Sequence, residues 1–144
     1  MTDIAYAEYS ALDPFFDIVL KGLTGLVDGN HFFDAFATDA VTEFRYNFPG
    51  WPTTLEGLLP LKELYAGYGQ MISLKSADGL VVHPSVESGI VVLEYDVHGN
   101  IVASGAEYSN RFISVITIRD RHITHWRDYM DSLTAMNALT GVAA

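Results

Sequence analysis

The sequence predicts one α+β domain over residues 1–144, with helices toward its N-terminus and most strands toward its C-terminus. Three observations carry this. Apolar residues recur at helical spacing early and at strand alternation from residue 71 onward. There is no βαβ alternation and no glycine-rich phosphate loop, which excludes a dinucleotide-binding fold. No internal repeat or linker divides the 144 residues, a length that suits one domain.

Residues 1–12 read as an irregular arm. Asp13-Pro14 then supplies a cap and a first-turn proline for a helix whose stripe is Phe15, Ile18, Val19, Gly22, Leu23 and Leu26. Asp28-Gly29-Asn30 stops it, and Asn30 starts a second, short helix with Phe32, Phe33 and Phe36. Residues 41–48 form a strand, with Phe44, Tyr46 and Phe48 on one face and Glu43, Arg45 and Asn47 on the other. A loop at 49–52 leads to a helix at 56–68, where Leu58, Leu61, Leu64, Tyr65 and Tyr68 share a face and Pro60 lies in the first turn.

Short strands at 71–75 and 80–86 flank Asp78-Gly79, and 89–97 is a β-branched strand turning at His98-Gly99-Asn100. A long strand at 108–118 puts Phe112, Ser114, Ile116 and Ile118 on one face. Asp120-Arg121 makes a two-residue hairpin turn into a last strand at 123–130. Asp131 caps a short C-terminal helix carrying Leu133, Met136 and Leu139 and ended by Gly141.

Hydrophobic residues make up 49% and charged residues 18% of the chain, so apolar surface is in surplus, as for a lined cavity, a subunit interface or both. The net charge of −10 argues against nucleic acid and against an anionic membrane surface. Without cysteine there is neither a disulfide framework nor a thiolate site. No apolar run is long enough to span a bilayer, and Met1-Thr2-Asp3-Ile4-Ala5 does not resemble a signal peptide, so a cytoplasmic location is expected.

The chemistry concentrates in the last strand. Alternation places Trp126 and Asp128 on one face and His125 and Arg127 on the other. A carboxylate desolvated by aromatic rings has a raised pKa and becomes a usable base or acid, whereas an Asp paired with arginine is structural. Glu94 and Asp96 share a face with Ile90 and Val92, either toward the interior, where Glu94 would be a second carboxylate, or toward solvent. Arg45 is either a counter-ion for a buried acid or a surface charge, and Arg111 an ion-pair partner for Glu107, Asp128 or Asp131. Tyr46, Trp51, Tyr65 and Tyr68 are either pocket lining or plain core, and Asn47 and Tyr108 join the candidate pocket residues. His122 and His125 fall on opposite strand faces and cannot share an ion, so no metal is expected; His83 is at most a lone acid/base group.

The closing Ile123-Thr124-His125-Trp126-Arg127-Asp128-Tyr129-Met130-Asp131 resembles the SnoaL-like branch of the nuclear transport factor 2-like superfamily. Phe48-Pro49, Leu55-Glu56-Gly57, Val92-Leu93-Glu94, Gly105 and Tyr108-Ser109-Asn110-Arg111-Phe112 match as well, so the resemblance covers about residues 12–140. It implies a curved antiparallel sheet wrapped around helices, forming a cone with one apolar pocket, and a homodimer joined by the sheet's outer face. Read together with the residues, it leads to a first hypothesis of an isomerase- or cyclase-like pocket enzyme in which Asp128 transfers the proton, with Glu94 and Tyr46 as candidate partners, on a small apolar molecule and with no cofactor. A non-catalytic binding or scaffold domain is the alternative. Limonene epoxide hydrolases share Trp-Arg-Asp-Tyr; their water-activating group would here draw on Asp128 and Asp96, with Glu94 where they have arginine and with Tyr46-Asn47 in the region that holds water.

Overall fold

The computed structural model describes residues 4–141. Ile4–Leu12 forms a 3-10 helix interrupted at Tyr6, where an irregular arm was expected. Tyr9 and Leu12 are three residues apart, so one turn brings both onto the core, where they are buried. Residues 1–3 of that arm lie outside the described residues. Helix α1, Asp13–Gly22, follows, with Pro14 in its first turn and Phe15, Phe16, Ile18 and Val19 buried.

The second short helix is reduced to one 3-10 turn, Phe33–Ala35, and strand β1 already starts at Phe36, spanning Phe36–Phe44. Tertiary pairing outweighs the helical spacing of the phenylalanines here: Phe36 lies opposite Ile123 and packs against both Phe32 and Trp126. Tyr46 and Phe48 consequently lie beyond the strand, in a loop at 45–53. A three-residue edge strand β2, Thr54–Glu56, precedes helix α2, Leu58–Tyr68.

Strand β3, Ile72–Pro84, runs continuously through Asp78-Gly79, with register irregularities in place of a break. Strand β4, Ile90–Ile101, extends past the expected turn at 98–100, and the chain turns at 102–104 instead. Strand β5, Glu107–Arg119, joins β6, His122–Met130, through Asp120 and Arg121, whose φ values of 50° and 63° fit a tight hairpin turn. Helix α3, Ser132–Thr140, is capped by Asp131, whose side chain accepts from the Thr134 amide at 3.1 Å.

The six strands are ordered β2-β1-β6-β5-β4-β3. The sheet is mixed rather than antiparallel, because β1 runs parallel to β6. That pairing joins the N-terminal half to the last hairpin, and it sets Phe44 and Ser114 on either side of Asp128. One face of the sheet carries Leu93, Tyr95, Val97, Ile116 and Trp126 against the helices, all nearly inaccessible to solvent. Phe15, Phe32 and Phe36 pack around Trp126, with ring centroids 5.4–6.2 Å apart.

Gly99 marks the tightest approach in the sheet, since a Cβ there would lie 2.1 Å from the backbone oxygen of Ser73. Gly99→Ala is expected to lose about 3 kcal/mol or more in urea unfolding. Gly67, helical and facing open space, is the control. Gly67→Ala is expected to gain up to about 1 kcal/mol.

Candidate functional site

Asp128 lies near the C-terminal end of β6, buried to 3% exposure, with its side chain among aromatic rings. Its backbone oxygen accepts from the Arg45 amide at 2.8 Å, which continues the β1 pairing one residue past the strand. Ser114 Oγ donates to Asp128 Oδ1 at 2.9 Å, and the Tyr95 hydroxyl lies 2.7 Å from the same Oγ. Ser114 has a single proton. When Asp128 is ionised that proton goes to the carboxylate, so Tyr95 donates to Ser114. The result is a buried relay, Tyr95 to Ser114 to Asp128.

Burial pushes the Asp128 carboxyl up to about 7, opposed by the Ser114 hydrogen bond and by the nearby indole of Trp126. Trp126 Nε1 stops short of hydrogen-bond geometry, so its influence is electrostatic. One good hydrogen bond does not replace the water that an ionised carboxylate loses on burial, and the neutral form gains. Burial also raises Tyr46, Tyr65, Tyr68, Tyr95 and Tyr108, and each also feels the Asp128 charge. All five hydroxyls therefore remain neutral donors at ordinary pH.

A cavity of about 30 Å³ opens against Asp128, between Tyr46, Trp51, Tyr65, Tyr68 and Phe112. That is room for one or two waters. Of the residues expected here, Asp128, Tyr46, Trp51, Tyr65 and Tyr68 line this cavity, and Tyr108 lines a neighbouring one. Trp126 lies behind the cavity, fully buried against phenylalanines. Asn47 is exposed in the 45–53 loop, because the strand ends before it.

Glu94 is not in the pocket. It is exposed on the outer face, where its Oε2 lies 2.5 Å from His83 Nε2. The cause is strand alternation: Leu93, Tyr95 and Val97 fill the interior and turn Glu94 and Asp96 outward. Arg45 is likewise a surface group beside Glu43, and Arg111 approaches Asp131 at 3.7 Å. Asp128 thus has neither a second carboxylate nor an arginine beside it, so the hydrolase-type water-activating group is not assembled. Among the described residues no group of three or more His, Asp or Glu side chains is arranged to hold a metal ion. Among the same residues, no helix is long and apolar enough to cross a membrane.

Ser114 and Tyr95 were missed as site residues. The trace of Ser114 in the sequence is a hydroxyl interrupting the apolar face Phe112, Ile116 and Ile118. Tyr95, between Leu93 and Val97 on an apolar face, is indistinguishable from core until the relay is seen.

No protein-family model matches the chain. The uncharacterised protein YesE of Bacillus subtilis is 33% identical over 103 residues, covering 72% of this chain and 70% of its own. An uncharacterised PhzA/B-like protein of Pseudomonas aeruginosa is 27% identical over 117 residues, covering 81% and 82%. Among solved structures, a Bacillus subtilis protein described as a candidate isomerase superposes with a TM-score of 0.74 at 27% identity, covering 94% of this chain and 95% of its own. A protein from Jannaschia sp. described as a candidate SnoaL-like polyketide cyclase shares the fold, with a TM-score of 0.61 at 17% identity over 95% of this chain and 92% of its own.

The raised Asp128 pKa has a consequence for stability. A carboxyl whose folded pKa lies above its unfolded value stabilises the fold fully below about pH 4, and this contribution is lost as pH rises through about 7. The difference of about 3 units corresponds to about 4 kcal/mol. Asp128→Asn should therefore match the wild type near pH 4 and be more stable at pH 8, as read by thermal unfolding across pH. Ser114→Ala should raise the Asp128 pKa further, as read by NMR titration of carbon-13-labelled aspartate carboxyls.

Proposed function

Because the chain belongs to the SnoaL-like branch of the nuclear transport factor 2-like superfamily, we propose that it is an isomerase- or cyclase-type enzyme that uses its own side chains for proton transfer on a small apolar carbonyl compound. The observation that carries this is one buried carboxyl, raised to about 7, facing an apolar cavity rimmed by tyrosine hydroxyls. A base with a pKa near the working pH combines a large ionised fraction with useful basicity. Asp128 takes a proton from the carbon beside the carbonyl. The enolate oxygen that develops is met by neutral phenol donors, with Tyr46 the candidate at the cavity wall. Ser114 and Tyr95 hold the carboxylate and do not touch the substrate.

The mostly apolar lining also supports a second reading, a binding module without turnover. Exchange of α-protons of cyclic ketones in deuterated water, followed by NMR, separates the two. Exchange should rise as pH passes through about 7, and Asp128→Asn should lower it by about a hundredfold or more. Exchange that survives this substitution rejects Asp128 as the base. Ligand binding with no exchange in the wild type favours the binding module.

A second copy of the chain is the proposed partner for the sheet's outer face. Ile113 and Val81 are 42% and 45% exposed there, with Val92, Val115 and Tyr129 half-buried nearby. Light scattering at micromolar concentration should give a dimer mass, and Ile113→Lys should shift it toward the monomer. A wild-type monomer mass rejects the dimer.

A further inference from the structure

The cavity at Asp128 has a neighbour of about 20 Å³, bounded on its far side by Tyr108, Ile72 and the α3 residues Ala135 and Leu139. Tyr46, Trp51, Tyr68 and Met130 line both spaces and form the wall between them. Part of this wall lies outside the regular elements. Tyr46 and Trp51 belong to the 45–53 loop, which has no regular hydrogen-bond ladder, and Met130 is an unbranched thioether at the end of β6.

Tyr108, on the far side, is oriented from behind by a buried amide. Asn110, 4% exposed, donates from Nδ2 to the Tyr108 hydroxyl oxygen at 2.8 Å and to the Asp131 backbone oxygen at 3.1 Å. Its Oδ1 accepts from the Arg111 amide at 2.8 Å, so the amide is fixed at both ends. Tyr68 lines the same space as Tyr108. A phenol oxygen that accepts from Asn110 keeps its own O–H to give. Tyr108 is 2% exposed and lines the far space, so this donor is available to a molecule inside it.

Resting on the proton-transfer assignment above, we infer that the two spaces are chambers of one site and that Tyr108, oriented by Asn110, binds a second oxygen at the far end of the substrate. The substrate class is then an elongated, mostly apolar carbonyl compound with hydrogen-bond acceptors at both ends. One end sets its α-carbon at Asp128 and its carbonyl oxygen at Tyr46, and the other end accepts from Tyr108. Entry displaces the Trp51 and Met130 side chains from the shared wall and joins the chambers, leaving Tyr46 at the Asp128 end. Both chambers together hold only a few waters at rest, so a compound of two rings requires both and the space that the displaced side chains free.

Three probes test this: cyclohexanone, a decalin monoketone and the matching diketone with its ketones on opposite rings. Binding is read by quenching of tryptophan fluorescence, to which Trp51 in the shared wall contributes. The diketone should bind the wild type about tenfold more tightly than the monoketone, as for one buried hydrogen bond. Tyr108→Phe should remove that preference and leave monoketone binding unchanged. Ala135→Phe, which fills the far chamber from α3, should weaken both decalin ketones at least tenfold and spare cyclohexanone. No preference in the wild type, or a preference kept in Tyr108→Phe, overturns the second chamber whatever Asp128→Asn does to proton exchange. A preference that follows Tyr108 while exchange survives Asp128→Asn overturns the proton-transfer assignment and leaves the chamber standing. Failure of every ketone to bind overturns both.

Discussion

The Asp128 carboxyl accepts one hydrogen bond from Ser114 inside a shell of aromatic rings. The same rings that strip water from it build the hydrophobic core. Stability and the raised Asp128 pKa are therefore set by one desolvation. An ionised group held this way opposes folding, and the large aromatic cluster offsets it with apolar burial. Phe15 shows the coupling well, because it packs against Trp126, Tyr65, Tyr95 and Phe112 and also lines the cavity.

The parallel pairing of β1 with β6 is the topological counterpart. It carries the chain from the helical layer directly alongside the strand that holds Asp128. It then releases the 45–53 loop over the cavity mouth, so Tyr46 and Trp51 reach the site from an element without a ladder of its own. Rigid strands hold the acid and its relay, while a loop supplies the wall. This division suits the proposed function, in which the base stays fixed while a substrate larger than the resting cavity enters.

The outer face of the sheet follows different rules. Its charges pair locally, as in Glu43 with His125 and His83 with Glu94. These are exposed or half-exposed pairs, worth little to stability individually. Their value lies in what they keep out of the interior. With Glu94 and Asp96 turned outward, Asp128 has no like charge close by, and burial alone accounts for its raised pKa.

Local patterns already legible in the chain include the start of the first helix at Asp13-Pro14, although Asp13 is its first residue and not its side-chain cap, the Asp120-Arg121 hairpin, the Asp131 cap and the separation of Trp126 and Asp128 from His125 and Arg127. Each depends on residues a few positions apart, where periodicity and capping chemistry act. The α+β class followed from the order of those patterns. Tertiary structure decided what depends on distant partners. Phe36 became strand because Ile123 lies opposite it. Glu94 faced outward because strand alternation around buried Leu93 and Tyr95 left it no interior position. Ser114 became the support of Asp128 only because the β5–β6 register sets the two side by side. A sequence shows which residues alternate, but which of the two faces is buried is settled by what packs against it.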